Sequence, residues 1–125
     1  MKEQLEQAYQ EIKCHIDKEL LPFWEKRGVD QTWGGYLVCY DEQGNPREQE
    51  DKYIVTQTRM IWAYSYYARK YGKKEYLPLA KQGVEFFIRH FWDEEYGGWY
   101  WKTTREGKVL DNGKVVYGQT FAIYA

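Results

Sequence analysis

The sequence predicts an all-α protein with short β-hairpin excursions, built from a unit that occurs twice. Three observations predict this fold class. Apolar residues recur at spacings of three and four in the long segments, which is typical of amphipathic helices. Two aromatic-Gly-Gly-aromatic motifs each follow such a segment, and the helix after the first motif is matched by similar residues after the second.

The first helix is expected over residues 4–27, where it ends near Gly28. Its apolar stripe consists of Leu5, Ala8, Tyr9, Ile12, Ile16, Leu20 and Phe23. Pro22 cannot donate a backbone hydrogen bond, so the last turn should be kinked or form a separate short piece. The WGGYLVCY segment from Trp33 is aromatic and β-branched and precedes a turn, DEQGNP, which predicts a short strand or hairpin.

The second helix is expected over Tyr53–Tyr71, before Gly72. Apolar and aromatic residues occupy most of its circumference, which indicates burial on more than one side and an inner position in a two-layer helical assembly. A third helix is expected from about Lys74 to Phe91, with Pro78 in its first turn.

The internal repeat sets the domain organisation. The motif Trp33-Gly34-Gly35-Tyr36 is matched by Tyr96-Gly97-Gly98-Trp99, 63 positions later. In the helices that follow, Gln57, Thr58, Ile61 and Ala63 recur 62 positions on as Gln119, Thr120, Ile123 and Ala125. A single helical hairpin cannot bury both of its faces. Residues 1–125 are therefore expected to be the N-terminal segment, about two repeats, of one larger domain, and the uncapped apolar ending FAIYA favours a fragment.

Composition excludes several classes of function. Eighteen basic and nineteen acidic side chains give a net charge of -1, with no basic stripe that would bind nucleic acid. No signal peptide or membrane-spanning run is present, so we expect a cytoplasmic protein without a membrane partner. Cys14 and Cys39 lack the spacing of a metal site and are expected to be reduced packing residues. The aromatic content of 19% suits sugar binding, although most buried rings only pack.

Several segments, in order, resemble one known family. PFW, WGGY, KY, TQTRMIWAYSYYARKYG, YGGWYW and YGQTFAIYA are similar to the opening section of the N-acylglucosamine 2-epimerase and cellobiose 2-epimerase family, from Leu21 onward. The resemblance implies an (α/α)6 barrel, which is a toroid of six helical hairpins in two rings around a central cleft. A repeat of 62 residues agrees with such a ring.

The resemblance also implies a reaction. The family inverts C2 of an aldose or N-acylated amino sugar by ring opening, proton removal beside the carbonyl and proton return to the other face. Its substrate is a small-molecule sugar, and it requires no redox cofactor. Its acid/base histidines belong to later repeats, so this segment alone is expected to be inactive. A homodimer of the full-length protein remains open.

Arg59 is the main candidate for the site. In the second repeat Phe121 occupies its position, so a cation replaces a ring on a helix that is otherwise apolar or aromatic on this side. We expect a buried cation, which is costly without a role. The resemblance implies that Arg59 binds the sugar near O1 and O2 and stabilises the charge that develops there, as a catalytic and substrate-binding residue.

Four aromatic residues are further candidates for substrate binding. Tyr117 and Phe121 share one face of the last helix and either line the cleft or pack in the core. Tyr36 and Trp99 lie in the Gly-Gly excursions and are expected to rim the cleft.

Other polar groups receive ordinary structural interpretations. His15 and His90 lie on outer helices outside any motif and are expected to be surface or packing residues. The acidic run 93–95 is expected to be a solvated loop, and Arg105 a surface arginine in an ion pair. No metal site is predicted.

Two other functions remain open. One is a non-catalytic sugar-binding or scaffold fragment, because fold alone does not define activity. The other is a glycoside hydrolase of the same barrel class, which would need two carboxylates placed across the scissile bond.

Overall fold

The first helical segment consists of three parts in the computed structural model, which describes residues 1–48 and 50–125. Helix α1 spans Lys2–His15, a π-helical turn spans Ile16–Leu20, and helix α2 spans Leu21–Arg27. Pro22 lies in the first turn of α2, where its missing N–H is tolerated. The short piece α2 thus includes Phe23, and a π turn, in which the backbone stays helical, separates it from α1.

Three further helices complete the helical part. Helix α3 spans Ile54–Lys70, a 3-10 turn at Lys74–Tyr76 leads into α4 at Leu77–Phe91, and α5 spans Val116–Tyr124. The chain is thus mostly helical with short β segments, as the sequence predicts. No residue of α1 is buried, so its apolar stripe does not contribute to the core of the described residues.

The β segments join the two repeats. Strand β1 at Lys52–Tyr53 pairs antiparallel with β2 at Lys102–Thr103, which pairs with β3 at Val109–Asp111. In the WGGYLVCY region the described residues form two isolated antiparallel bridges, Val29 with Tyr36 and Tyr40 with Pro46. The second bridge spans the DEQGNP turn, where the Arg47 N–H donates to the Cys39 carbonyl at 2.9 Å, so the expected hairpin is present as a short turn without a regular strand. The excursion is mainly a loop held by side chains.

The core lies mainly between α3 and α4, and one aromatic row crosses it. The ring centroids of Tyr36 and Tyr64 are 5.5 Å apart, and those of Tyr64 and Tyr76 are 5.7 Å apart. The Tyr36 hydroxyl donates to the carbonyl oxygen of Leu79 at 2.8 Å. A Cβ atom at Gly83 would lie 2.1 Å from that hydroxyl oxygen, so only glycine fits there.

The two Gly-Gly loops have the same backbone geometry. In the first, Gly34 N–H donates to the Asp30 carbonyl at 2.9 Å, and both Gly34 and Gly35 have positive φ. In the second, Gly97 N–H donates to the Asp93 carbonyl at 2.9 Å, again with two glycines of positive φ. Because other residues rarely adopt this region, both motifs require their glycines.

A glutamine fastens each loop to the helix that follows it. Gln57 accepts from the Tyr36 N–H at 2.8 Å through Oε1 and donates to its carbonyl at 2.9 Å through Nε2. Gln119 makes the same pair with Trp99, at 2.9 and 2.7 Å. The internal repeat is therefore present in the hydrogen bonding as well as in the sequence.

A buried ion cluster connects the two repeats at Asp30. Lys52 donates to Asp30 Oδ2 at 2.9 Å and to the carbonyl oxygens of Gly34 and Arg105 at 2.6 and 2.7 Å. The guanidinium of Arg105 donates two hydrogen bonds to the same carboxylate, from Nε to Oδ2 at 2.9 Å and from Nη2 to Oδ1 at 3.1 Å. Asp30 and Lys52 are both buried. One carboxylate thus holds the first loop, β1 and the hairpin of the second repeat together.

The second repeat contains a simpler version of this cluster. Lys114 donates to Asp93 Oδ2 at 2.6 Å, and Asp93 Oδ1 accepts from the backbone N–H groups of Glu95 and Tyr96. Glu94 and Glu95 are exposed, as expected for a solvated loop, but Asp93 is buried, which contradicts that expectation. Its carboxylate organises the turn rather than facing water.

These contacts shift the pKa of both carboxyls. Burial alone would raise the pKa of Asp30, but hydrogen bonds from Arg105 and Lys52 hold it well below its usual range. The hydrogen bond from Lys114, aided by the backbone N–H of Tyr96, lowers the pKa of Asp93 to about 2. Both groups are therefore carboxylates at neutral pH.

Two remaining features concern the surface. Both cysteines are free: Cys39 is partly buried, whereas Cys14 is exposed and is not a packing residue. Within the described residues, no helix has both the length and the apolar character needed to cross a membrane.

The matched lysines provide a test of the buried cluster. Lys52→Met should lower the free energy of unfolding by about 3–5 kcal/mol, because it leaves the buried Asp30 carboxylate with one cationic partner fewer. Lys114→Met should cost less, since that side chain is 32% exposed against 1% for Lys52. Urea denaturation of both variants measures the difference, and equal losses would contradict this account.

Acid should weaken the turn at Asp93. Its carboxyl binds a proton less readily in the folded than in the unfolded chain, so its contribution to stability is complete above the ordinary pKa of about 3.9. That contribution is lost as the pH falls through about 2. Asp93→Asn should therefore flatten the dependence of the urea midpoint on pH in this window, whereas Glu94→Gln should retain the wild-type slope. Parallel curves for wild type and Asp93→Asn would argue against the assigned contacts.

Candidate functional site

The start of α3 positions the candidate arginine. Strand β1 leads directly into this helix, and the Ile54 N–H donates to the Trp101 carbonyl of the second repeat at 3.1 Å. The Thr56 hydroxyl donates to the Tyr53 carbonyl at 2.9 Å, which adds a side-chain contact in the first turn. Arg59 follows in the second turn of a helix whose entry is therefore fixed at several points.

A glycine allows α5 to approach this part of α3. A Cβ atom on Gly118 would lie 2.8 Å from Ile54 Cγ2 and 3.1 Å from an atom of the Trp101 ring. The absence of a side chain thus permits close contact between the helix starts. This contact brings the neighbouring Tyr117 next to Arg59.

Three of the predicted site residues meet here. Arg59 Nη2 lies 3.2 Å from the Tyr117 hydroxyl oxygen, to which it donates. The Arg59 guanidinium carbon lies 4.7 Å from the Phe121 ring centroid, within cation–π range. The Tyr117 and Phe121 rings are 4.9 Å apart and nearly perpendicular. We call Arg59, Tyr117 and Phe121 the arginine–aromatic cluster.

The cluster is open to solvent. Arg59 and Tyr117 are exposed and Phe121 is half-buried, so the expectation of a buried cation is wrong. Among residues 1–48 and 50–125, Arg59 forms no ion pair with a carboxylate. Within this part of the chain its guanidinium contacts the Tyr117 hydroxyl and the Phe121 ring, which leaves further N–H groups for a polar ligand.

The other two candidates lie elsewhere. Tyr36 is fully buried between α3 and α4, so the expectation that it rims a cleft is contradicted. Trp99 stacks on Phe87 at 4.5 Å and packs against the core. Packing around the Gly-Gly loops accounts for both residues.

A stack of three rings continues the cluster along α3. The indole of Trp62 lies between Tyr66 and Tyr124, with centroid distances of 4.8 and 5.4 Å and nearly parallel planes. These contacts make Trp62 a packing residue where α3 meets α5.

The two histidines do not belong to the cluster. His15 lies on α1 and contacts Glu19 at 3.1 Å on the surface. His90 lies on α4, where it packs on Phe86 and against Gly107, and burial lowers its pKa. Neither histidine lies on α3 or α5, the helices that carry the arginine–aromatic cluster.

Sequence reasoning missed the ion clusters that support the site. Asp30 recurs 63 positions later as Asp93, and Lys52 recurs 62 positions later as Lys114. These offsets equal those of the Gly-Gly and Gln-Thr motifs, so the pairs were detectable as part of the repeat. Arg105 was expected to form a surface ion pair; it is partly exposed, but its partners are the buried Asp30 at 2.9 Å and Glu50 at 3.1 Å.

Solved proteins share this paired-repeat architecture. A cellobiose 2-epimerase from Bacillus thermoamylovorans superposes with a TM-score of 0.86 and 29% identity, covering 95% of this chain and 30% of that one. A sugar epimerase from a ruminal bacterium gives a TM-score of 0.85 at 34% identity, covering 92% and 29%. These relatives are (α/α)6 barrels, so the predicted fold class is confirmed and this chain corresponds to part of the ring.

Sequence comparison identifies the family. The profile of the N-acylglucosamine 2-epimerase (GlcNAc 2-epimerase) family matches residues 35–125. A cellobiose 2-epimerase of Bacteroides fragilis is 36% identical over 115 residues, and one of Ruminococcus albus is 37% identical over 117. The chain belongs to the N-acylglucosamine 2-epimerase family. It spans 29% of the length of each of these two relatives, with 92% of its own length aligned.

Substitution of Arg59 and of Arg105 should have different effects on stability, because we assign a ligand-binding role to the first and a structural role to the second. Arg59→Met should change the free energy of unfolding by less than about 0.5 kcal/mol, because the side chain is exposed and contacts only Tyr117 and Phe121 within the described residues. Arg105→Met should cost about 1–2 kcal/mol, since it removes two hydrogen bonds from a buried carboxylate but is itself partly exposed. Urea denaturation followed by circular dichroism measures both. A larger loss for Arg59 would indicate a structural role.

Proposed function

We propose that the protein to which this chain belongs inverts the configuration of a sugar at C2, with Arg59 as a residue that contacts the reacting end. Family membership supports the class of reaction. The single observation that carries the assignment to this site is the exposed guanidinium of Arg59, bonded to Tyr117 and stacked on Phe121 without a carboxylate partner in the described chain.

The chemistry explains why a guanidinium suits this position. Inversion at C2 removes a proton next to the aldehyde carbon of the open sugar, and negative charge develops on the oxygens at C1 and C2. A planar fork of N–H donors can bind two such oxygens together and stabilise the charge as it forms. The contact with Tyr117 uses one N–H of Nη2 and orients the fork, while the remaining donors are available to the sugar.

Proton transfer must then come from other residues. Removal and return of the C2 proton require groups that titrate near neutrality, which histidine supplies. The only two histidines of the chain lie on α1 and α4, not on the helices of the arginine–aromatic cluster. We therefore place the acid/base groups in further repeats of the complete protein and expect residues 1–125 alone to be inactive.

The relatives suggest which sugar to test first. Cellobiose 2-epimerases reach 36–37% identity over 92% of the chain, whereas the human N-acylglucosamine 2-epimerase is 32% identical over 67% of it. Cellobiose is accordingly the proposed substrate. The exposed rings of Tyr117 and Phe121 offer faces that suit the C–H side of a glucose unit.

A second candidate is aldose–ketose isomerisation. A D-mannose isomerase superposes with a TM-score of 0.65 and 25% identity over 82% of this chain, and a mannose-6-phosphate isomerase is 26% identical over 92%. Both reactions begin with the same proton removal at C2. They differ in whether the proton returns to C2 or to C1, so the product identifies the reaction.

The cellular setting is also a proposal. Two free cysteines, one of them exposed, suit the reducing environment of the cytoplasm. A homodimer of the complete protein stays a prediction.

Isotope exchange tests the role of Arg59. In the complete gene product with cellobiose in deuterium oxide, Arg59→Met should lower the rate of deuterium incorporation at C2 by about 10²–10³-fold, the effect of losing one charge-stabilising donor group. Arg69→Met, at the far end of α3, should retain the wild-type rate. Proton NMR follows the loss of the C2 signal, and circular dichroism verifies the fold.

Each result has a distinct meaning. An epimer labelled at C2 supports the proposal, and a ketose labelled at C1 selects the isomerase. Release of glucose without exchange would indicate a glycosidase, and the absence of both reactions would favour a sugar-binding or scaffold protein. Unchanged exchange in Arg59→Met would remove this arginine from the mechanism.

A further inference from the structure

Equivalent positions of the two repeats differ sharply in exposure. Ile54 is 0% exposed, but Val116, 62 positions on, is 76% exposed. Ile61 is 2% exposed, whereas its equivalent Ile123 is 86% exposed. The same face of the repeat is thus covered in the first copy and uncovered in the second. Val115, the N-cap of α5, is exposed as well, and exposed apolar residues grouped on one element indicate a binding surface.

The first repeat shows what covers this face. Helix α5 and the hairpin of the second repeat pack on it: Gly118 lies against Ile54, and Tyr124 stacks on Trp62. Arg105 of the hairpin reaches back to Asp30. The elements that bury this face are therefore a helix and a β-hairpin of the next repeat, and the hairpin carries an arginine.

The carboxylates at the two equivalent positions differ in the same way. Asp30 accepts from two backbone N–H groups, from Lys52 and twice from Arg105. Asp93 accepts from two backbone N–H groups and from Lys114, and within residues 1–48 and 50–125 no guanidinium reaches it. The neighbouring Glu94 and Glu95 are exposed and add negative charge.

The lysines repeat this difference. Lys52 has three acceptors, including the carbonyl oxygen of Arg105. Lys114 has Asp93 as its acceptor in the described chain and also lies 5.6 Å from the Tyr96 ring. An opening lined by Trp92, Asp93, Tyr96 and Tyr100 lies beside this pair. We call Asp93, Lys114, Val116 and Ile123 the receiving face.

The ring fold of the family places a further hairpin on the receiving face. We propose that an arginine of this third repeat unit, which belongs to the same polypeptide, donates a two-pronged hydrogen bond to Asp93. The backbone carbonyl of that arginine accepts from Lys114, as the Arg105 carbonyl accepts from Lys52. Charge complementarity supports a cationic partner, because three carboxylates lie in or beside the opening and one ammonium group balances them.

A second copy of this chain fits less well. The positions 62 and 63 residues before Arg105 are Gln43 and Glu42, so the first repeat of another copy carries no arginine at the equivalent place. Its second repeat does carry Arg105, but that side chain already binds Asp30. The required unit is one that follows in the same chain.

Photochemical crosslinking in the complete gene product tests the proposal. Tyr96 is 78% exposed beside Asp93, so p-benzoylphenylalanine can replace it without entering the core. Irradiation should crosslink this position to one peptide of the following repeat that contains an arginine. Mass spectrometry of an equal mixture of ¹⁵N-labelled and unlabelled protein should show crosslinks within single molecules.

The contrary results are equally clear. Crosslinks between labelled and unlabelled molecules, to a peptide without arginine, or to no peptide would overturn the proposal, as would a gene that ends at Ala125. This experiment needs no catalytic activity, so its outcome does not depend on the proposed reaction.

A matched pair of variants tests the charge recognition. Asp93→Arg should abolish the crosslink, because it places two cations together, whereas Glu94→Arg on the exposed side of the same loop should retain it. Retention in Asp93→Arg would contradict the role of the carboxylate. If Asp93→Arg does not fold, Asp93→Asn keeps an acceptor for the turn and should still reduce the crosslink yield relative to Glu94→Gln; equal yields would contradict the proposal.

Discussion

The buried carboxylate of Asp30 is the group on which the arrangement of the two repeats depends. A buried charge is unfavourable unless it is fully bonded, and Asp30 obtains its partners from three separate parts of the chain. The loop supplies backbone N–H groups, the segment before α3 supplies Lys52, and the second repeat supplies Arg105. Each partner is needed to offset desolvation, so the three parts are held at one relative position.

This constraint extends to the arginine–aromatic cluster through short steps. Lys52 is the first residue of β1, which leads directly into α3 and Arg59. Strand β1 also pairs with β2 of the second repeat. Close contact at Gly118 then sets the distance between α3 and α5. Arg59 and Tyr117 therefore owe their proximity to rigid groups behind them, while they remain exposed. Such separation of a stable support from an accessible site is typical of binding sites.

The sequence predicted the helices, the repeat and three members of the cluster, because these depend on periodicity and on matched positions. It predicted poorly which side chains are buried and which are exposed. Arg59 looked buried because its helix is rich in rings, yet only one side of α3 faces the core. Tyr36 looked like a rim residue because glycines flank it, but those glycines allow the loop to pass over α4. Asp93 looked solvated because two exposed carboxylates follow it. Such distinctions depend on contacts between residues distant in the chain.

The spacing of the repeat changes within the excursion. Tyr36 and Trp99 are 63 residues apart, whereas Lys52 and Lys114 are 62 apart, so one residue of difference is absorbed between the loop and the lysine. The lysine–aspartate ion pair and the hydrogen bonds from Gln57 and Gln119 to the two loops are present in both copies despite this change. The segment between each Gly-Gly loop and its lysine therefore accommodates a change of one residue in length while these contacts are kept. A difference in loop length is absorbed between fixed contacts and is not transmitted to the helices.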